Sequence, residues 1–432
     1  MISRRELLSF LALLGAGGPI GLLSQGRPVE DRTHPHRLTP GDEEFLEELE
    51  RSIFLYFWEQ ASPRTGLVKD RAKVKGIDTR VVASIAATGF GLTAICIADK
   101  RGFITSAQAH TRVVASLRFL WKRLPHQRGF FYHFVNVHSG ERVWQSEASS
   151  IDTAILLCGV LTCGQHFDDP EIKQLAKQIC ERVDWPWMLA GGNTLSHGWT
   201  PEGNFLKSRW DAYSELMMIY LLGLGSATHP LPSETWDAWK RPVFEYEGLR
   251  FIGSHAPLFV HQYSHAWFDF RNKRDRHADY FANSVVATEV HRRFCIGLAK
   301  QFPHFSEDLW GITASDSARG YVVWGGPPPM GPLDGTLVPC APGGSIPFLP
   351  SETLRVLRTM RERFGDKVWT RYGFVDAFNP QTKWFAPDIV GINAGITLLM
   401  AENARTQFVW NTFMKNEEAG RGMQRAGFRL VG

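Results

Sequence analysis

The chain has 432 residues, of which 44% are aliphatic or aromatic and 21% charged, so a large core can be buried and long disordered tracts are disfavoured. A net charge of only +4, with no Lys/Arg stripe along a helix face, argues against a nucleic-acid partner. Fifteen Trp and 29 Phe exceed ordinary core needs, and many stand beside Gly, Asp, His or Asn, a mixture that suits sugars.

In chain order, Ser3-Arg4-Arg5-Glu6-Leu7-Leu8 opens a short apolar run, and residues 1–23 read as a twin-arginine export signal. The run is too short and Gly-rich for a confident membrane span. A cut falls near Ser24–Gln25, or the segment stays as an anchor. The expected location is periplasmic or secreted, without stable membrane insertion once the signal is removed. Residues 24–41, rich in Pro, Arg, His and Gly, read as a linker, and 42–432 as one large domain.

Apolar residues at three- and four-residue spacing predict helices over 43–60, 80–99, 105–124, 147–167, 170–184, 211–224, 233–240, 256–267, 277–301, 351–364, 388–404 and 407–418. About a dozen helices without a second linker predict an all-α fold, with helix pairs closing into a toroid. Residues 129–137 and 319–325 are candidate hairpin strands or extended loops, and the irregular stretch 325–350 a candidate wall or lid of a cleft. Cys96, Cys158, Cys180 and Cys295 lie inside apolar helical patterns, so few or no disulfides are expected.

Hydrolysis of a glycosidic bond generally uses two carboxyl groups, one protonating the leaving oxygen and the other activating water or attacking the sugar. Two segments place carboxylates among aromatic and small polar residues. In Trp144–Asp152 (WQSEASSID), Glu147 follows Ser146, read as a helix N-cap. In Arg209–Glu215 (RWDAYSE), Asp211 and Glu215 are four apart and would share a face of a continuous helix, or Asp211 would cap it. His261 and His265, also four apart, match a metal-ligand spacing, but no third ligand is apparent and hydrogen bonding is favoured. The run Gly89–Ala94 (GFGLTA) mimics part of a dinucleotide fingerprint but follows a helical pattern, which points to close helix packing.

Ordered motifs add a family resemblance. GLVKDR (66–71), SIAATGFGLTA (84–94), RGFFYHFVN (128–136), SEASSIDTA (146–154), RVDWPWM (182–188), RWDAYSE, HQYSHAWFDFR (261–271), WGITASD (310–316), DGTLVPCAPGGSIPF (334–348) and YGFVDAFN (372–379) follow one another along the chain. This series resembles the glucoamylase-like domain of glycoside hydrolase family 144 and its relatives. The resemblance implies an (α/α)6 toroid with long loops lining a central cleft, and endo-acting, inverting hydrolysis of β-1,2-glucan. It points to Glu147 and Glu215 as the catalytic carboxylates. The family pattern carries an Asp within the segment matching 390–403, where this chain has Asn393, an amide that cannot act as a base.

Residues and resemblance together make Glu147 and Glu215 the acid–base pair, supported by Asp152 and Asp211. Trp144, Trp210, Tyr213, His261, His265, Trp267 and Trp324 are expected to line the glucan cleft. The expected protein is a monomer that needs no metal or organic cofactor. Transglycosylation, hydrolysis of another β-linkage, a lyase and a non-catalytic glucan-binding protein are the alternatives.

Overall fold

The computed structural model describes residues 38–326, 328 and 330–431. The export signal, its cleavage position and most of the 24–41 linker lie outside the described residues. Among the described residues, no helix is long and apolar enough to cross a membrane.

Twelve α-helices are present among these residues. Outer and inner elements alternate along the chain: α1 (Pro40–Glu59) outer, α2 (Ile85–Arg101) inner, α3 (Ser106–Lys122) outer, α4 (Ser150–His166) inner, α5 (Pro170–Glu181) outer, α6 (Met217–Gly225) inner. The second half continues with α7 (Tyr280–Gly297) outer, α8 (Cys340–Gly343) inner, α9 (Pro350–Phe364) outer and α10 (Gly391–Thr406) inner. The remaining outer and inner positions are taken by 3-10 turns, Ser233–Trp236 outside and Leu258–His261 with Tyr263–Ala266 inside. The result is the (α/α)6 toroid. Burial patterns explain the alternation. In α2 every residue from Ile85 to Ala98 is buried, and all of α6 is buried, because an inner helix meets protein on every side. The outer helices α3, α5 and α9 bury one stripe and expose the rest.

The predicted helices 233–240 and 256–267 are corrected to 3-10 turns, and 407–418 to two short helices, α11 (Phe408–Phe413) and α12 (Glu417–Arg425). These pack on α4 and α6 respectively. The 325–350 stretch is also corrected as a lid: its second half holds α8 and the buried Val338, Ala341, Ser345 and Ile346, making it a segment of the inner ring. Pro339, Pro342 and the Gly343-Gly344 pair limit that segment to one helical turn. Gln262 joins the two shortened inner positions, its Nε2 donating to the Ala341 carbonyl at 2.9 Å and to Ser345 Oγ at 2.8 Å. All six cysteines are buried and free.

Short antiparallel pairings form a collar over the N-terminal ends of the inner helices. Residues 71–73 pair with 388–390, and 82–84 with 134–136; the 148–149 strand pairs with 198–199. His133 N donates to the Glu147 carbonyl (2.9 Å), tying the last two parts together. The same dipeptide, Ala-Ser, ends two collar strands: Ser84 caps α2 and Ser149 caps α4, each side chain accepting from the backbone N–H three residues on.

Helices α2 and α4 approach backbone to backbone at Gly89 and Gly159. A Cβ on Gly159 would stand 2.2 Å from the Gly89 carbonyl oxygen, and one on Gly89 2.3 Å from that of Ile155. The fingerprint-like run 89–94 is therefore a packing motif. Gly159→Ala is expected to destabilise the fold by about 1–3 kcal/mol or more, because rigid main chain must move. Urea unfolding measures this, and an unchanged midpoint would contradict the contact.

Candidate active site

The collar sets the position of Glu147. The N-cap of α4 is Ser149, not Ser146, so Glu147 precedes the helix and the expected first-turn placement is corrected. Ser146 instead bridges the hairpin, its Oγ accepting from Phe134 N and donating to Phe134 O, both at 3.1 Å. Glu147 is 8% exposed, its Oε1 3.2 Å from His133 Nδ1. The far nitrogen of that ring, Nε2, lies 3.5 Å from Asp152 Oδ1, and Asp152 Oδ2 accepts from Ser149 Oγ at 2.6 Å.

Above this trio the chain is strained. Trp144 and Gln145 both have left-handed backbone, with φ of 56° and 50°, a conformation that costs non-glycine residues of order 1–3 kcal/mol each. Arg142 holds the turn: its Nε donates to the Ser146 carbonyl at 2.5 Å and its Nη2 to that of Gln145 at 2.6 Å, while Glu202 anchors the guanidinium. The strain presents Trp144 outward, 67% exposed, with its ring edge-on to Phe134 at 5.1 Å. Phe134 stacks on His133 at 3.8 Å. One continuous column thus joins an exposed indole to a buried carboxyl group.

His133, Glu147 and Asp152 also have the chemistry of metal ligands, with candidate ligand atoms within 4.8 Å of one another. Both ring nitrogens already face carboxylates, so an ion would have to replace one of those contacts.

The second predicted carboxylate, Glu215, lies just before α6 and is 1% exposed; its carbonyl accepts from Ser264 Oγ at 2.8 Å. Asp211 does not share a helix face with it, because α6 starts only at Met217. Asp211 is exposed, and its carbonyl accepts from Lys240 N at 2.8 Å, so the expected placement of the two carboxylates on one helix face is corrected.

Several expected cleft residues are core residues instead. Trp267 is fully enclosed, its Nε1 donating to Thr93 Oγ1 at 3.0 Å. Tyr213 is equally enclosed and its hydroxyl lies 3.0 Å from His261 Nδ1. His265 Nε2 lies 3.1 Å from Ser284 Oγ, so the two histidines have separate hydrogen-bond partners. Trp210 and Trp324 are buried too, donating to Ser150 Oγ and Ser315 Oγ. Each indole or phenol finds its partner inside the wall, as a buried aromatic with a polar tip requires. Trp144 alone of the seven is exposed.

A second group on the collar was not singled out from sequence. Asp376 accepts from Asp316 N at 2.7 Å and from Asn393 Nδ2 at 2.8 Å. Arg71 Nη1 grips both oxygens of Asp316, at 2.6 and 2.8 Å, and Arg80 takes Asp388 at 2.7 Å through two nitrogens. Burial, then the nearby Asp316, pushes the Asp376 carboxyl up to about 7. The motifs WGITASD and YGFVDAFN carried these aspartates, but neither shows in sequence that its partner is the other.

This fold matches known proteins. A putative glucoamylase from Bacteroides uniformis is 30% identical, with a TM-score of 0.85, over 91% of this chain and 98% of its own. The chain belongs to the glucoamylase-like family. The "Putative glucoamylase" family model matches residues 207–417. Among glucoamylase-like structures, the endo-β-1,2-glucanase from Chitinophaga pinensis, in complex with sophorotriose and glucose, is 26% identical at a TM-score of 0.83, over 91% of this chain and 99% of that one. A curated relative, the exo β-1,2-glucooligosaccharide sophorohydrolase (non-reducing end) of Parabacteroides distasonis, is 27% identical over 424 residues and 89% of this chain. The chain spans 58% of that relative's length.

The enclosed histidines predict an acid limit to stability. Burial lowers His261, His265 and His291 to about 3 from the usual 6.5. Below pH 6.5 the unfolded chain gains protons that the folded chain refuses, so their contribution is lost as pH falls from about 6.5 towards 3. The urea midpoint should drop across this window. Replacing His265 with Asn should flatten the dependence; an identical slope would refute it.

Proposed function

We propose that this protein is an exported endo-acting β-1,2-glucan hydrolase that works with inversion, using Glu147 and Glu215 as its acid–base pair. The observation that carries the reading is the Trp144–Phe134–His133–Glu147 column, an exposed sugar-stacking surface joined to a buried carboxyl. The printed activities of the Chitinophaga and Parabacteroides relatives support β-1,2-linked glucose as the substrate class. The twin-arginine pattern supports export and the periplasm, and the working unit is a monomer.

Reducing-end release from β-1,2-, β-1,3-, β-1,4- and β-1,6-glucans tests the linkage; rapid cleavage of the β-1,2-linked polymer alone is expected. NMR of the first products should show the α-anomer. Early products should be oligosaccharides of mixed length; disaccharide alone from the outset would contradict endo action. Glu147→Gln and Glu215→Gln should each lower kcat by about 100-fold or more. Wild-type turnover in both variants would defeat the assignment.

Trp144→Ala should raise KM about tenfold and leave kcat nearly unchanged, since it removes a stacking surface rather than a reacting group. An unchanged KM would remove Trp144 from the substrate path.

A further inference from the structure

The turn that carries Trp144 is built from residues that its backbone form disfavours. Ser146 N donates to the Val143 carbonyl at 3.1 Å, and both residues between them, Trp144 and Gln145, are left-handed. That combination is a type I′ turn, whose usual occupants are Asn and Gly because they accept positive φ at little cost. A bulky aromatic held at such a strained position points to function rather than folding.

Arg142, the residue before the turn, supplies the restraint. Its Nε and Nη2 reach the Ser146 and Gln145 carbonyls, and the same guanidinium meets both oxygens of Glu202, Nη1 to Oε1 at 2.7 Å and Nη2 to Oε2 at 3.0 Å. The Tyr132 ring covers it, 5.0 Å from the guanidinium carbon. Glu202 belongs to another hairpin. It sits between strands 198–200 and 204–205, and the first of these pairs with 148–149, just beyond Glu147. One cation therefore fastens the turn before Glu147 to the hairpin paired after it. Lysine could not replace it, since a single ammonium lacks the planar fork that meets a carboxylate and two carbonyls together.

Ring contacts place the indole outside the reacting position. Trp144 touches Phe134, and Phe134 in turn stacks on His133, the partner of Glu147. Two aromatic contacts thus separate the indole from the carboxyl, so the sugar on Trp144 is not the sugar being cleaved. Glu147 has holds of its own that do not involve Arg142. Its carbonyl accepts from His133 N, and Ala148 next to it pairs with Trp199. Loss of Arg142 should free the indole and leave the carboxyl in place.

We propose that Arg142, braced by Glu202, is a positioning residue for the glucan: it locks the 143–146 turn so that Trp144 presents its ring face to a glucosyl unit beyond the scissile bond. The ligand's identity rests on the hydrolase reading above; the latch itself rests on the hydrogen bonds. Arg142 acts through Trp144 and needs no contact with sugar. An ion pair whose Glu202 side chain is 54% exposed adds little to overall stability, so its effect is local.

The test uses the full chain and two readouts. In kinetics with β-1,2-glucan, Arg142→Ala should raise KM about tenfold with kcat within about threefold of wild type. Adding it to Trp144→Ala should raise KM no further, because one residue acts through the other. Arg142→Lys should resemble Arg142→Ala, and Glu202→Gln should raise KM about threefold with an unchanged urea midpoint. Additive effects of Arg142→Ala and Trp144→Ala, a wild-type KM in any of the three latch variants, or a fall in kcat at constant KM overturns the proposal. The second readout needs no glucan. With 5-fluorotryptophan in place of tryptophan, the fluorine resonance missing from Trp144→Phe belongs to Trp144, and the Phe134 ring 5.1 Å away shifts it. It should move in Arg142→Ala while the other resonances stay. An unmoved resonance refutes the latch whatever the chain cleaves. A wild type that cleaves no glucan refutes the hydrolase reading, while the resonance still decides the latch.

Discussion

Close contact between inner helices is the constraint on which the rest of this structure depends. At Gly89 and Gly159 the α2 and α4 main chains meet with no room for a side chain. That spacing sets the relation between the strands that precede the two helices, 82–84 and 148–149. Those strands are joined through 133–136, so the position of Glu147 against His133 is a consequence of helix packing some distance below it. Protein interiors transmit such constraints because they are packed to crystal-like density.

The toroid collects the N-terminal ends of its inner helices at one end of the molecule. Positive helix-end potential there tolerates carboxylates, and the chain uses the tolerance heavily. One cluster is built around His133, Glu147 and Asp152, the other around Asp316, Asp376 and Asp388. Their environments differ. A histidine links the first pair of carboxylates; arginines partly compensate the second cluster and leave Asp376 without a cation of its own. Different surroundings are how one set of chemically similar groups acquires different proton affinities.

Much of the fold was legible because its signals are local. Apolar spacing located nearly every helix, although the cap read at Ser146 lies at Ser149. Mistakes arose where tertiary contacts overrode that spacing. His261 to Trp267 carries helical periodicity, yet the chain makes two 3-10 turns there, tied across by Gln262 to Ala341 and Ser345. Asp211 was paired with Glu215 by counting four residues, a count with no meaning before the helix begins at Met217.

The sequence by itself determined the all-α class, the order of helices, the glycine contact motif and the candidacy of Glu147 and Glu215. Each depends on neighbours in the chain or on motifs read in order. Only the tertiary structure decided which aromatic faces solvent and which aspartates meet. Trp144, Trp210, Trp267 and Trp324 all sit among polar residues in sequence, but burial is a property of the assembled ring, and it leaves only Trp144 of these four exposed. Asp316 and Asp376 are 60 positions apart. Ring closure makes them neighbours, and the desolvation that raises Asp376 exists only once the surrounding wall has formed.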